Sequence, residues 1–219
     1  MEVNVETVKE KKPSLIGLIT SPVQQFERMK ERPVIWLPMI IVIALSALSV
    51  YLVTSKFAAD ADYVVHFSAL KSGVAVFRDI FQSIIFFVLS ALVLWLLAKI
   101  GGGATNFICM VSLSVFVNFI PVVRDVIISA IYYITDSEAA FSVTSLDGII
   151  PAEEPLLTVL SAFDIFTIWS FALTAVGLQK AAGSSKRAAW IGVAVLFILK
   201  LLFAYLFGML QVLVENMPS

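Results

Sequence analysis

The sequence predicts an all-α, polytopic integral membrane protein with five transmembrane helices and an N-terminal amphipathic interfacial helix. Hydrophobic residues make up 60% of the 219-residue chain and charged residues only 14%, whereas soluble proteins average roughly 45–50% and about 25%. The apolar residues fall into long runs that are separated by polar connections. The formal net charge of -1 gives no basic excess with which to bind a phosphate backbone, so no nucleic-acid partner is expected.

The N-terminal part of the chain divides into two segments. Residues 1–13 mix acidic and basic side chains without a periodic apolar face, which predicts a mobile cytoplasmic tail. Residues 14–32 are predicted to be an interfacial amphipathic segment, because their apolar stretch is shorter than the about 20 residues that cross a bilayer. Within it, a helix is expected to begin with Ser21 as N-cap and Pro22 as its first residue. The apolar stripe that we expect to face the membrane consists of Val23, Phe26 and Met29. The alternative is a solvated helix docked on the protein's own loops.

Residues 33–214 make up the predicted membrane domain. Its five spans are expected at residues 34–53, 80–98, 107–134, 156–178 and 189–214. A polar connection over 54–79 separates the first two spans, whereas the short turn at Gly101–Gly103 makes the second and third spans antiparallel neighbours. The third span carries charged residues that are costly against lipid, so we expect it to lie at the centre of the bundle.

The distribution of basic residues predicts the orientation in the membrane. The N-terminal segment and the two short loops at 99–106 and 179–188 hold ten Lys and Arg residues, and the opposite ends hold three. By the positive-inside rule, the N-terminus is cytoplasmic and the C-terminus extracytoplasmic. The acidic loop at 135–155 then lies outside. The protein is therefore predicted to be a multi-pass protein of the cell membrane.

Several polar residues interrupt the predicted spans. They are Asn118, Pro121, Arg124, Asp125, Asp164 and Lys200. Counting helical rise from the outer ends gives Arg124 and Asp164 the same depth, which predicts an ion pair between the third and fourth spans. Lys200 is expected near Asn118 or extended toward a carboxylate. Asp125 is expected to point about 100° away from Arg124. The functional interpretation is an ion or proton path, and the structural interpretation, which we favour, is a buried pair that fixes helix register.

Pro121 is expected to kink the third span. A proline removes one backbone donor, and membrane helices tolerate this where neighbouring helices or side-chain hydroxyls satisfy the freed carbonyl. The position of Pro121 therefore favours a helix that is surrounded by other helices.

The sequence offers little chemistry for an enzyme. His66 is the only histidine, and no His, Cys and Glu residues share the spacing of a metal site. The triplet Gly101–Gly103 lacks the Lys-Ser/Thr that follows a phosphate-binding loop. We therefore predict no catalytic residues, no metal and no cofactor.

Motifs along the chain point to a family. Gly101-Gly102-Gly103-Ala104-Thr105-Asn106-Phe107 opens a span with Asn118-Phe119-Ile120-Pro121, and Asp164-Ile165-Phe166-Thr167-Ile168-Trp169 precedes Gly183-Ser184-Ser185-Lys186-Arg187-Ala188. In this order and spacing, the motifs resemble the Yip domain family of five-span membrane proteins, in its bacterial form. The resemblance covers roughly residues 14–213. It implies a non-enzymatic accessory membrane protein, with assistance to an ABC-type export system as one role.

Two hypotheses of function follow. The first is a non-catalytic accessory or scaffold protein that acts through another integral membrane protein, such as the permease or exporter of an ABC-type export or toxin-protection system. The second is a small transporter or channel that uses Arg124, Asp164 and Lys200. The lipid bilayer is a partner in both hypotheses, and a homo-oligomer stays open. Flux into proteoliposomes separates the two hypotheses.

Overall fold

The fold is all-helical in this computed structural model, which describes residues 12–60, 65–135 and 137–217. No β-strand occurs in those three ranges. The helices, numbered in chain order, are α1 (Leu15–Thr20), α2 (Pro22–Glu31), α3 (Trp36–Asp60), α4 (Val65–Ile100), α5 (Phe107–Thr135), α6 (Leu156–Ser161), α7 (Ile165–Lys180) and α8 (Lys186–Glu215). Two short 3-10 turns, Glu138–Ser142 and Leu146–Gly148, lie between α5 and α6. Most of the predicted tail, residues 1–11, lies outside the described residues.

Four helices of the described chain are long and apolar enough to cross a membrane: α3, α4, α5 and α8. Their apolar cores extend over Trp36–Lys56, Leu70–Ile100, Phe107–Thr135 and Lys186–Glu215. At about 1.5 Å of rise per residue, each can exceed the roughly 30 Å hydrocarbon core. The chain is therefore a multi-pass membrane protein.

Helix α5 lies at the centre of the bundle. In its most apolar window 56% of the residues are buried inside the protein, against 11% to 17% for α3, α4 and α8. It packs against α3, α4 and α7, and its side chains Met110, Leu113 and Phe116 are completely buried. The central position expected from its charges and proline agrees with the structure. The outer helices leave broad apolar faces exposed, as helices in contact with lipid do.

The connection between the first two spans differs from the prediction. Residues 54–79 were expected to form a polar connection, but α3 continues to Asp60 and α4 already begins at Val65. Charged residues do not end a helix by themselves, and Asp79 is accommodated because its Oδ2 accepts a hydrogen bond of 2.9 Å from Ser46 of α3. Hydropathy therefore located the apolar centre of α4 and misplaced its N-terminal end.

The N-terminal helices pack on the protein. Helix α2 begins at Pro22, as predicted, but Ser21 makes no side-chain capping bond. Phe26 and Met29, which were expected to face the membrane, are 0% exposed because α2 packs against α5 and α7. Val23 is 41% exposed and stays outside this contact. The alternative was a solvated helix docked on loops, whereas Phe26 and Met29 pack on the helices of the bundle.

The predicted span at 156–178 is not one helix. It is divided into α6 and α7 by a short non-helical segment that ends at Asp164. The Asp164 side chain caps α7, since its Oδ1 accepts hydrogen bonds of 2.9 and 3.0 Å from the backbone N–H groups of Phe166 and Thr167. Aspartate is among the preferred N-cap residues because its carboxylate satisfies N–H groups that lack a helical partner. This helix start was not predicted, because residues 156–178 are apolar enough to suggest one continuous span.

Two glycine turns bring the ends of four helices together. Gly102 and Gly183 have positive φ angles of 76° and 73°, a region that glycine enters without steric cost. The backbone N–H of Ser185, before α8, donates a hydrogen bond of 3.1 Å to the carbonyl of Gly101, after α4. Gly103 packs so closely that a Cβ atom would lie 2.6 Å from the carbonyl oxygen of Ala182. The α4–α5 and α7–α8 turns therefore form one packed end of the bundle.

Candidate functional site

Arg124 and Asp164 form an ion pair at the junction of α5 and α7. The Arg124 Nε atom lies 3.2 Å from Asp164 Oδ2, and the two side chains are 19% and 6% exposed. The sequence placed the two residues together by counting depth along two continuous helices. In the structure Asp164 reaches Arg124 from the N-cap of α7 instead. The pair therefore joins the middle of one helix to the beginning of another.

Arg124 also contacts the loop between α5 and α6. Its Nε donates a hydrogen bond of 3.1 Å to Thr144 Oγ1 and its Nη2 one of 2.7 Å to the carbonyl oxygen of Phe141. Thr144 in turn donates its hydroxyl to Asp164 Oδ2, and the N–H of Ile165 donates to the Thr144 carbonyl at 3.0 Å. We call Arg124, Asp125, Phe141, Thr144 and Asp164 the Arg124 cluster. It fastens the loop to both helices.

Asp125 lies beside Arg124 rather than away from it. Arg124 Nη1 is 3.1 Å from Asp125 Oδ1, although the two residues are adjacent on α5. The long arginine side chain bends along the helix surface, which the expected angle of about 100° between their Cβ directions did not take into account. The Asp125 side chain is 50% exposed. All three guanidinium nitrogens of Arg124 therefore have an acceptor within the protein.

Serine contacts link α3 to the same stretch of α5. Ser49 Oγ lies 2.7 Å from Ser129 Oγ and donates a hydrogen bond of 3.2 Å to the backbone carbonyl of Asp125. Ser46, one turn earlier, makes the bond to Asp79 of α4. Sequence reasoning did not select these residues. The available signal was a pair of small polar residues three positions apart in an apolar helix, which is typical of helix contacts in membranes.

Ser170 donates to the backbone carbonyl that Pro121 leaves without a donor. Pro121 has no N–H group to donate to the carbonyl of Val117, four residues earlier in α5. That carbonyl instead accepts a hydrogen bond of 2.9 Å from the Ser170 hydroxyl of α7. The freed carbonyl is therefore satisfied by a side-chain hydroxyl from a neighbouring helix.

Lys200 and Asn118 face a common cavity of about 420 Å³. The cavity lies between α4, α5, α7 and α8 and is lined by Phe86, Ser90, Leu94, Val117, Asn118, Pro121, Thr167, Ser170, Phe171, Thr174, Leu196 and Lys200. Lys200 Nζ donates a hydrogen bond of 3.3 Å to Thr167 Oγ1. Within the part of the chain that the structure describes, no carboxylate lies at ion-pair distance from Lys200. Of the two positions expected for Lys200, near Asn118 or extended toward a carboxylate, the structure shows a cavity shared with Asn118.

The Arg124 cluster and the cavity beside Lys200 contain ion-pairing and hydrogen-bonding side chains. Across residues 12–60, 65–135 and 137–217, no three His, Cys, Asp or Glu side chains are grouped so that they could hold a metal ion. Cys109 is buried, with its Sγ 3.7 Å from the carbonyl oxygens of Met29 and Ala181. It therefore contributes to the packing of α2 on the bundle.

Long apolar helices around a buried ionic cluster define a polytopic helical membrane protein. Within that class, the chain belongs to the Yip1 domain family, whose model matches residues 16–207. It is similar to membrane protein YknW of Bacillus subtilis (strain 168), with 37% identity over 228 residues that cover 96% of this chain and 98% of that protein. No solved structure matches the chain significantly. The family expected from the motifs is thus confirmed, and both matches point to a non-enzymatic membrane protein.

Proposed function

We propose that this chain is a non-catalytic accessory or scaffold protein of the bacterial cell membrane that acts through another integral membrane protein. The partner in this proposal is the permease or exporter subunit of an ABC-type export or toxin-protection system. Membership in the Yip1 domain family supports a membrane accessory role, and the relative in Bacillus subtilis is a membrane protein. The identity of the partner rests on the family resemblance.

The Arg124 cluster supports a structural role for the intramembrane charges. Each nitrogen of the Arg124 guanidinium has an acceptor in the protein, and both oxygens of Asp164 accept hydrogen bonds. A charge that carries ions or protons across a membrane must exchange its partners during the cycle. In this cluster the partners come from α5, α7 and the loop between α5 and α6, so exchange would release the loop. The observation that carries the proposal is that the Arg124 guanidinium and the Asp164 carboxylate have all their hydrogen-bond partners within the protein.

Exposed apolar faces supply a surface for the partner. Trp36, Leu37 and Ile40 of α3 are 75%, 65% and 61% exposed, and α8 carries a similar face along its length. Lipid covers such faces in an isolated protein, and helices of another membrane protein replace the lipid in a complex. We propose that one of these two outer helices contacts the partner.

We also propose five crossings of the membrane. Helix α7 has 16 residues and so spans about 24 Å, which falls short of the hydrocarbon core until α6 continues it outward. Non-helical backbone is tolerated at membrane depth where protein covers it, and Thr144 and Arg124 cover the break at Asp164. In this topology residues 33–214 are the membrane domain, residues 1–13 a cytoplasmic tail and residues 14–32 an interfacial segment. The N-terminus is cytoplasmic and the C-terminus extracytoplasmic.

Site-specific photocrosslinking in the native host tests the partner. A photoreactive phenylalanine analogue is placed at Ile40 on α3 or Leu206 on α8, which are 61% and 48% exposed, and at buried Phe116 as the control. We expect one exposed position to yield a covalent adduct with a membrane subunit of an ABC-type system, and Phe116 to yield none. Adducts to lipid alone, or to a second copy of this chain alone, contradict an accessory role through another protein.

A small transporter or channel is the second candidate, because Lys200 faces a cavity inside the bundle. In this candidate Lys200, Arg124 and Asp164 form the path of the solute. Purified protein in proteoliposomes then gives flux that Lys200→Met abolishes. Flux at the level of empty liposomes, combined with a partner adduct, favours the accessory role.

A further inference from the structure

We propose that the cavity between α4, α5, α7 and α8 is a binding site for an anionic amphiphile, whose acidic end group is held by Lys200 and whose acyl chain lies along the apolar walls. This inference is independent of the partner proposed above. The walls, the unpaired polar groups and the position of the opening each support it.

The polar groups of the cavity have hydrogen-bonding capacity to spare. Lys200 Nζ, which carries three donors as an ammonium group, has one acceptor in the described chain, Thr167 Oγ1. Asn118 donates its Nδ2 to the carbonyl of Ser114 at 2.8 Å, and nothing in the described ranges donates to its Oδ1. The hydroxyl of Ser90, on α4, likewise has no hydrogen-bond partner among the described residues. Three helices thus contribute polar side chains with spare hydrogen-bonding capacity to the lining of one cavity.

The charge of the cavity selects an anion. Lys200 is the cation of its lining, which contains no acidic side chain. The carboxylates of Asp125 and Asp164 both lie at ion-pair distance from Arg124, and in the described chain neither lies at that distance from Lys200. Lys200 is half-buried, and a cation in that position without a carboxylate at ion-pair distance is costly in a membrane protein. An acidic group of a ligand supplies the missing counter-charge.

The walls select an apolar chain on that anion. Five of the twelve lining residues carry large apolar side chains: Phe86, Leu94, Val117, Phe171 and Leu196. The volume of about 420 Å³ falls within the roughly 300–1,000 Å³ of ordinary ligand sites, and it is too large for an inorganic ion alone. The ligand class that matches both features is a carboxylate or phosphate monoester on a long alkyl chain.

The opening of the cavity is directed toward lipid. Helices α4 and α8 touch where a Cβ atom on Gly192 would lie 3.2 Å from Leu97 Cδ2. Farther along the same two helices, Phe86 on α4 is 52% exposed and also lines the cavity, as do Leu196 and Lys200 on α8. An amphiphile dissolved in the bilayer can therefore enter between α4 and α8.

Native mass spectrometry of the full chain in a neutral detergent tests the site. The probes are stearate and lysophosphatidate, which carry a carboxylate and a phosphate monoester, and octadecanol, which has the same chain length as stearate and no charge. We expect one equivalent of stearate, lysophosphatidate or both to bind at least about tenfold more tightly than octadecanol, because a charge-assisted hydrogen bond is lost with the acidic group. Failure of both anions to bind, or equal binding of octadecanol, overturns the proposal.

Three variants assign the binding to the cavity. Lys200→Met should weaken the bound anion at least about tenfold, and Lys200→Arg should keep it within about threefold. Lys186→Met, which removes an exposed cation from the same helix, should leave binding unchanged. If Lys200→Met does not fold, Ser90→Phe decides, because it fills the cavity and keeps the ammonium. Unchanged anion binding in either Lys200→Met or Ser90→Phe overturns the proposal.

Discussion

The hydroxyl of Ser170 on α7 donates a hydrogen bond of 2.9 Å to the carbonyl oxygen of Val117, the acceptor that Pro121 leaves without its helical N–H donor. This bond places a proline inside the most buried helix of the bundle without an unsatisfied carbonyl. It also ties α7, which at 16 residues is the longer helix of the divided α6–α7 segment, to the centre of the protein. The Val117 carbonyl oxygen therefore links the proline of α5 to the packing of α7 on that helix.

Ser170→Ala should destabilise the folded protein by about 1–3 kcal/mol, because a buried carbonyl then has no donor. The measurement is the free energy of unfolding in mixed micelles. In a Pro121→Ala background the same Ser170→Ala change should cost less, because the alanine N–H returns to the Val117 carbonyl. Equal costs of Ser170→Ala in the two backgrounds would show that Ser170 does not compensate for Pro121.

Phe26→Ala should destabilise the protein by about 3–5 kcal/mol, because Phe26 is completely buried between α2 and the bundle. Val23→Ala on the same helix is the control, since Val23 is 41% exposed and its change should cost less than about 1 kcal/mol. Thermal unfolding of both variants in detergent gives the comparison. If Phe26 instead faced lipid, Phe26→Ala would be tolerated in detergent and would not cost more stability than Val23→Ala.

Single cysteines in a Cys109→Ser background should report five crossings and a cytoplasmic N-terminus. Ser137 and Ser185 are both exposed and lie on either side of the α6–α7 unit. An impermeant thiol reagent added to intact cells should label Ser137→Cys and Asn216→Cys, and should label Ser185→Cys only after permeabilisation. Labelling of Ser137→Cys and Ser185→Cys from the same side would mean that α6 and α7 do not cross the membrane.

The all-helical fold class, the family and the central position of α5 were predicted from the sequence. The long apolar runs, the order of the motifs and the charged residues of one span can each be recognised without knowledge of the tertiary structure. The sequence also brought Arg124 and Asp164 together, although its assumption of a continuous helix over 156–178 was wrong. The capping preference of Asp164 was readable in the sequence, but the surrounding hydropathy concealed it. The sequence did not predict Thr144 as a partner of Arg124. The two residues are 20 positions apart, and their contact depends on how the loop after α5 folds back onto that helix.

The same limit applies to the N-terminal segment. An amphipathic stripe of Phe26 and Met29 is equally suited to lipid and to a protein groove, because both environments are apolar. In the structure the stripe faces the protein, because α5 and α7 cover these side chains. Only the tertiary structure can distinguish a helix that lies on the membrane from one that lies on the bundle.

The central claim is that Arg124 and Asp164 act as a structural pair that fastens the loop between α5 and α6 to α5 and α7. Breaking a buried pair by removing one partner typically costs about 3–5 kcal/mol, whereas removing both can be nearly neutral. The variants are Arg124→Leu, Asp164→Asn and their combination, because asparagine keeps the N-cap of α7 and removes the charge. Arg78→Leu, at an exposed position of α4, is the control for loss of an arginine.

The deciding measurement is the free energy of unfolding of the parent, the two single variants and the double variant under one set of detergent conditions. We predict that each single variant loses about 3 kcal/mol or more and that the double variant loses less than the sum of the two by at least about 2 kcal/mol. Arg78→Leu should remain within about 0.5 kcal/mol of the parent. Additive losses in the double variant, or single variants as stable as the parent, would contradict the structural pair.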